Sequence, residues 1–253
     1  MKNKVKRKLA RREPTIGNWI HLPSPSVVEI LSQIEMDWLV LDTEHGSYGE
    51  EALEDMMRAM QGAEVTPIVR VAETNAALIK KALDRGAYGV ICPLVNTARE
   101  AELAVSACKY PPAGVRGVAG TRASRYGLDM KEYYRTWNDE VLVICQIETR
   151  EALENVREIA AVPGVDVLFI GPYDLSANLG FLGQIKEKAF QEAVARIQQA
   201  AQDNDVAVGY YAADAAEVLD RVEQGMTFVS LGSDVAFLAG AARIAYADIC
   251  DRS

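Results

Sequence analysis

Trp38-Leu39-Val40-Leu41-Asp42-Thr43-Glu44-His45-Gly46 changes character at Asp42, where a continuous apolar run gives way to a polar cluster closed by glycine. A short apolar run without alternation reads as a strand buried on both faces, the mark of a parallel sheet covered by helices. Outward from residues 38–42 the same kind of β-rich run recurs at 15–20, 67–71, 89–93, 142–147, 165–170, 206–210 and 227–231. Amphipathic stretches separate these runs. Residues 50–60 set Leu53, Met56, Met57 and Met60 on one face, Thr97-Ala98-Arg99-Glu100 has the form of a capping box, and residues 151–160, 187–204, 214–224 and 235–247 follow. Eight such alternations in a chain of 253 residues predict an α/β fold, a single-domain (β/α)8 TIM barrel over residues 15–253, preceded by a basic N-terminal helix or arm at 1–14. A doubly wound sheet is the competing architecture, but no G-x-G-x-x-G or P-loop pattern follows any strand.

The composition excludes several classes of function. With 36 acidic against 27 basic residues and a net charge of −9, the chain repels nucleic acid and anionic membranes, so neither is expected as a partner. The start, Met1-Lys2-Asn3-Lys4-Val5-Lys6-Arg7-Lys8, lacks the apolar stretch of a secretory signal, and no run is long enough to span a bilayer; a cytoplasmic protein is expected. Its basic cluster reads as a solvated helix packing Val5 and Leu9 against the barrel bottom rather than as an RNA-binding arm. Cys92, Cys108, Cys145 and Cys250 have no C-x-x-C spacing, which leaves reduced thiols rather than a zinc ribbon or redox pair.

Chemistry in such a barrel gathers at the C-terminal strand ends. There the sequence places Asp42, Glu44 and His45 after the second strand, Arg70 on the third, Gln146 and Glu148 at the fifth, and Gly171-Pro172-Tyr173-Asp174 after the sixth. Glu148 and Asp174 in one mouth would suit a hard divalent cation; helix capping is the alternative for both. His45, three residues beyond Asp42, reads as a general base oriented by that carboxylate, against a purely structural loop histidine. His21 follows the first strand and either lines the pocket or fills the mouth. Arg70 needs an anion, either a substrate oxygen or an internal partner such as Glu44 or Glu148. No lysine falls at a strand end, so imine catalysis is not expected and Lewis-acid enolate chemistry takes its place. The long connection from Pro111 to Asn138 carries Arg116, Arg122, Arg125 and Arg135, and serves either an anionic substrate or a subunit contact.

Leu41-Asp42-Thr43-Glu44-His45-Gly46, Pro67-Ile68-Val69-Arg70-Val71, Gln146-Ile147-Glu148-Thr149 and Phe169-Ile170-Gly171-Pro172-Tyr173-Asp174-Leu175-Ser176 together resemble the HpcH/HpaI aldolases, over nearly all of the chain after residue 14. The resemblance implies a pyruvate-dependent class II aldolase acting on 4-hydroxy-2-oxo acids, with Mg2+, Mn2+ or Co2+ held by Glu148 and Asp174. It implies His45 as base with Asp42 orienting it, Arg70 on the pyruvate oxygen, Gln146 beside a metal-bound water, and the turn Gly171-Pro172-Tyr173-Asp174 on the pyruvate carboxylate. It also implies a C-terminal helix exchanged between subunits in a homohexamer built as a trimer of dimers. Tyr173, where a small residue is expected, and Gly209-Tyr210-Tyr211 depart from the pattern and point to a narrower or more aromatic acceptor pocket. A CoA-ester lyase of the citryl/malyl-CoA type and a non-catalytic ligand-binding barrel are the competing functions.

Overall fold

The computed structural model describes residues 2–250. Strands β1 (Thr15–Ile20), β2 (Trp38–Asp42), β3 (Thr66–Arg70), β4 (Gly89–Cys92), β5 (Leu142–Ile147), β6 (Val167–Ile170), β7 (Ala207–Ala212) and β8 (Phe228–Ser233) pair in parallel in sequence order, and β8 returns to β1 to close the barrel. Helix α1 (Lys4–Ala10) precedes β1. Around the barrel run α2 (Pro25–Ser32), α3 (Glu50–Ala59), α4 (Ala76–Asp84), α5 (Ala98–Cys108), α6 (Met130–Glu140), α7 (Arg150–Glu154), α8 (Val156–Ala160), α9 (Pro172–Leu179), α10 (Lys188–Asp203), α11 (Ala215–Glu223) and α12 (Asp234–Cys250). The expected (β/α)8 barrel is therefore the observed one.

The differences from the sequence reading are local. The stretch 151–160 forms two short helices, α7 and α8, meeting at Asn155. Strands β7 and β8 run two residues past the expected ends, because pairing continues to Tyr211↔Ser230 and Ala212↔Leu231 for β7 and to Trp19↔Ser233 on β1 for β8. The capping box forms as written, with the Thr97 side chain and the Glu100 carboxylate each taking a backbone amide at the start of α5.

Helix α1 closes the barrel bottom. Val5 and Leu9 are buried, and the basic residues pair with the barrel: Lys6 with Asp166, Arg7 with Glu140 and Lys8 with Asp37. Trp38 and Phe228 stack inside the barrel with centroids 4.1 Å apart. That packing requires Gly17, since a Cβ there would stand 2.1 Å from the Trp38 ring and 2.3 Å from its carbonyl oxygen. Above them Trp19 and Phe169, 5.6 Å apart, form an aromatic floor beneath the C-terminal mouth. Filling the barrel with large rings up to this level leaves only the mouth open to a ligand.

Helix α12 is built differently from the others. Among the described residues of this helix only Asp234 is buried, while Leu238, Ile244 and Tyr246 are each about two-thirds exposed. An apolar helix standing off its own barrel leaves surface that water covers poorly.

Candidate active site

Register explains why the first site residues meet. In β2 and β3, Asp42 is the aligned partner of Arg70 at the last pair of the ladder, so both side chains enter the mouth side by side. Arg70 donates through Nε to Asp42 Oδ1 at 2.8 Å and through Nη2 to Asp42 Oδ2 at 2.6 Å, a bidentate pair between buried groups. Its Nη1 stands 3.0 Å from Glu44 Oε2, and its guanidinium lies 4.5 Å from the Trp19 ring centroid. At least two of the five N–H donors of the guanidinium remain for a ligand. Burial alone would raise the Asp42 carboxyl. Hydrogen bonds from His21 and Arg70, and their charges, outweigh it and hold Asp42 well below the usual carboxylate range. Glu44 moves the other way: burial raises it, against the pull of Arg70.

The partner of Asp42 among the histidines corrects the sequence reading. His21 Nε2, not the His45 ring, stands 3.1 Å from Asp42 Oδ2. What Asp42 accepts from His45 is the backbone N–H, at 3.4 Å, in the turn that also brings in the Glu44 amide at 3.1 Å. A residue three positions after a strand end has already turned over the rim, so its backbone faces the strand-end carboxylate while its ring reaches the solvent side. His45 is exposed and lines the mouth.

Glu148 is buried beneath this rim. Its Oε1 accepts the Leu94 amide at 2.8 Å, and its Oε2 accepts from Gln146 Nε2. Burial raises Glu148 to about 7, with the Asp174 and Glu44 carboxylates adding and the Leu94 amide and Arg70 opposing. Neither carboxylate is a cap. Thr149, not Glu148, caps α7 by accepting the Ala152 amide, and Asp174 lies inside the first turn of α9, whose N-cap is Gly171. The first-turn amides of Tyr173 and Asp174 have no intrahelical acceptor and sit at the positive end of that helix. Leu94 could not be found from sequence, because it contributes an amide rather than a functional group, and it does so from a left-handed backbone with φ of 52°.

These groups surround a cavity of about 190 Å3 lined by Trp19, His21, His45, Arg70, Gln146 and Phe169, with Tyr173, Asp174 and Tyr211 closing it. A larger cavity of about 790 Å3 lies on the flank of the barrel near α1 and Arg122. Among the described residues it gathers no acid–base cluster, and four of its cations are engaged: Lys4 with Glu64, Arg58 with Glu54 and Asp55, Arg125 with Asp129, and Arg122 with backbone carbonyls. The mouth is the candidate site because the chemistry converges there.

The arginines of the long connection are engaged within the chain. Arg116 is buried beside Asp84 and among the rings of Tyr110, Tyr133 and Trp137. Arg122 donates to the carbonyls of Met57 and Arg85 at the ends of α3 and α4, Arg125 pairs with Asp129, and Arg135 with Glu132. None of these four lines the mouth of its own barrel.

Among the described residues no group of three or more His, Cys, Asp or Glu side chains is arranged to hold a metal. A hard cation such as Mg2+ needs fewer, since it keeps several waters and is held by one or two carboxylates plus substrate oxygens. Glu148 with Asp174 meets that requirement. The buried Gln146 Oε1 has no hydrogen-bond partner, and an orphan acceptor beside two carboxylates suits a water at an ion. Gly171 holds the space. A Cβ there would come 3.0 Å from Gln146 Nε2 and 3.1 Å from Glu148 Oε2. Gly171→Ala is expected to fold but to weaken Mn2+ binding by roughly tenfold, read by EPR titration; unchanged affinity would remove Gly171 from this role.

The fold and this site define a (β/α)8 barrel whose C-terminal mouth gathers an arginine, two histidines and a cluster of carboxylates. The chain belongs to the HpcH/HpaI aldolase/citrate lyase family, whose model matches residues 15–241. It is 38% identical to the hydroxypyruvate/pyruvate aldolase of Paraburkholderia phytofirmans over 98% of this chain and 97% of that one. It is also 38% identical to the 5-keto-4-deoxy-D-glucarate aldolase of Escherichia coli K12, over 92% and 91%. A crystal structure of an HpcH/HpaI aldolase/citrate lyase family protein from Burkholderia cenocepacia J2315 superposes with a TM-score of 0.94 at 37% identity, covering 99% of this chain and all of that one.

Proposed function

We propose that the chain is a divalent-cation-dependent aldolase that reversibly cleaves a 4-hydroxy-2-oxo acid to pyruvate and an aldehyde. The observation that carries this is the convergence, in one mouth, of a bidentate Arg70–Asp42 pair, the buried Glu148 with its neighbour Asp174, and an orphan Gln146 oxygen. Glu148 and Asp174 would hold the cation. When bound, it would draw electron density from the C2 keto oxygen of pyruvate and make the methyl protons more acidic.

The remaining work falls to the chain itself. The first-turn amides of α9 would take the pyruvate carboxylate, which helix starts favour. The free donors of Arg70 would bind the C2 oxygen and stabilise the negative charge that grows there as C3 loses its proton. His45, at the exposed rim, would take the C3 proton, and in the cleavage direction the proton of the C4 hydroxyl, as that oxygen becomes the aldehyde carbonyl. Trp19 and Phe169 would exclude water from below. Tyr173 and Tyr211 meet edge to face, with centroids 6.4 Å apart, across the outer side of the cavity, where the aldehyde would enter. Names of relatives at 38% identity, hydroxypyruvate/pyruvate and 5-keto-4-deoxy-D-glucarate aldolase, support a small oxo-acid donor and an oxygenated acceptor.

Pyruvate methyl protons are expected to exchange with D2O in the presence of Mg2+ or Mn2+ and to stop exchanging in EDTA, followed by NMR without any aldehyde. Exchange absent under every metal would overturn the proposal in favour of a CoA-ester lyase or a non-catalytic barrel. The apolar and largely exposed α12 supports an oligomer in which that helix is covered by another subunit. Sedimentation at the mass of a monomer would refute that part.

A further inference from the structure

His21 has both ring nitrogens facing buried carboxylates: Nε2 lies 3.1 Å from Asp42 Oδ2, and Nδ1 lies 3.8 Å from Asp234 Oδ1. The backbone that carries the ring is held as well. The His21 and Leu22 amides donate to the two oxygens of Asp234, each at 3.0 Å, tying the end of β1 to the start of α12. A histidine that merely filled the mouth would need neither arrangement.

Asp42 Oδ2 is also the oxygen that accepts from Arg70 Nη2 at 2.6 Å. One carboxylate oxygen thus serves a permanent cation and an ionisable ring. When His21 is protonated, two cations divide the charge of Asp42, and less of it neutralises Arg70. When His21 is neutral, Asp42 screens Arg70 more fully. We propose that His21 is a positioning residue of the active site, acting through the shared oxygen of Asp42 to set how much positive charge Arg70 presents to an anionic substrate.

Other charged groups around the ring do not replace this coupling. Asp234 faces Nδ1 and is engaged by three backbone amides, those of His21, Leu22 and Val235. Tyr48 donates to the Ile20 carbonyl and stays neutral, because burial raises its hydroxyl and Asp42 and Asp234 raise it further. Glu44 reaches the network through Arg70, and His45, Tyr211 and Asp174 line the same cavity without a direct bond to His21 among the described residues. Two sites that share one carboxylate are energetically coupled, and the coupling is reciprocal: whatever protonated His21 does for anion binding, the bound anion does for the protonation of His21.

The inference rests on the proposed role of Arg70 in binding pyruvate, and its test separates the two. The chain has two histidines, so a 15N-histidine NMR titration resolves His21 from His45 once a His21→Gln spectrum assigns them. Replacing Arg70 by Met removes the competing cation, and the His21 resonances should titrate at higher pH than in the parent. By calorimetry with Mg2+ present, the ratio of pyruvate affinity at pH 6 to that at pH 8 should be roughly fivefold higher in the parent than in His21→Gln, a comparison in which the titration of Glu148 is common to both proteins. Binding itself should persist in His21→Gln. A His21 midpoint indifferent to Arg70→Met overturns the proposal, as does a pH 6-to-pH 8 affinity ratio that is the same in His21→Gln as in the parent. If Arg70→Met does not fold, the His21→Gln calorimetry alone decides. Should pyruvate fail to bind at any pH, the Arg70 assignment falls, and with it the substrate role given to His21.

Discussion

Glu148→Gln should reduce metal-dependent exchange of the pyruvate methyl protons by about a thousandfold or more, while leaving a protein that is folded and, without metal, more stable than the parent above pH 7. Both halves follow from the environment of one buried carboxylate. Burial lifts Glu148 from 4.5 to about 7. A carboxyl raised in the folded state binds its proton more tightly there than in the unfolded chain. Its stabilising contribution is therefore complete below about pH 4.5 and lost as pH climbs to 7, a loss of up to about 3 kcal/mol by linkage. Glutamine has the same shape without the charge. Its oxygen still accepts the Leu94 amide, and Gln146 turns its amide to offer the free Oε1 to the new NH2 group.

Metal should reverse the order. A ligand that binds only the native state at 1,000 times its Kd adds about 4.1 kcal/mol, more than the roughly 3 kcal/mol lost to the buried charge. Mn2+ should thus raise the Tm of the parent and leave Glu148→Gln nearly unmoved. Thermal melts at pH 5 and 8, with and without Mn2+, read all of this in one set. Equal metal-induced shifts in the two proteins would remove Glu148 from the cation site.

Arg70→Ala is expected to fail differently. It should lose exchange by about two to three orders of magnitude, as removal of a donor to a developing oxyanion does, and it should also lose stability. Asp42 would remain buried with only His21 beside it, and breaking a buried pair from one side costs about 3–5 kcal/mol. In a protein of this size that corresponds to roughly 10 °C or more in Tm. The double variant Asp42→Asn/Arg70→Met removes both charges together and should recover about half of the lost stability with none of the exchange. Recovery of activity in the double variant would show that Arg70 serves the fold rather than the substrate. A stable Arg70→Ala would show that Asp42 finds its counter-charge elsewhere.

Much of this protein was legible one residue at a time. The apolar runs of the buried strands, the capping box at Thr97 and Glu100, and the polar residues that end β2, β3, β5 and the segment after β6 are local signals, because burial on both faces and strand-end chemistry leave their mark on consecutive residues. They determined the barrel and selected the residues that line its mouth. What they leave open is pairing. Whether Asp42 serves His45, three residues away, or His21 and Arg70, from flanking strands, depends on the β1–β2 and β2–β3 registers, which bring distant residues together. The Leu94 amide on Glu148 is invisible in sequence for the same reason, since every residue carries that donor and only the backbone path after β4 aims this one. Arg116 and Arg122 of the long connection read equally as ligands for an anion until the folded chain supplies Asp84, aromatic rings and helix-end carbonyls within reach. Composition and periodicity determine which groups a chain can bring to a site, whereas the partner each group takes is settled by long-range geometry, where a few tenths of an ångström decide which hydrogen bond is made.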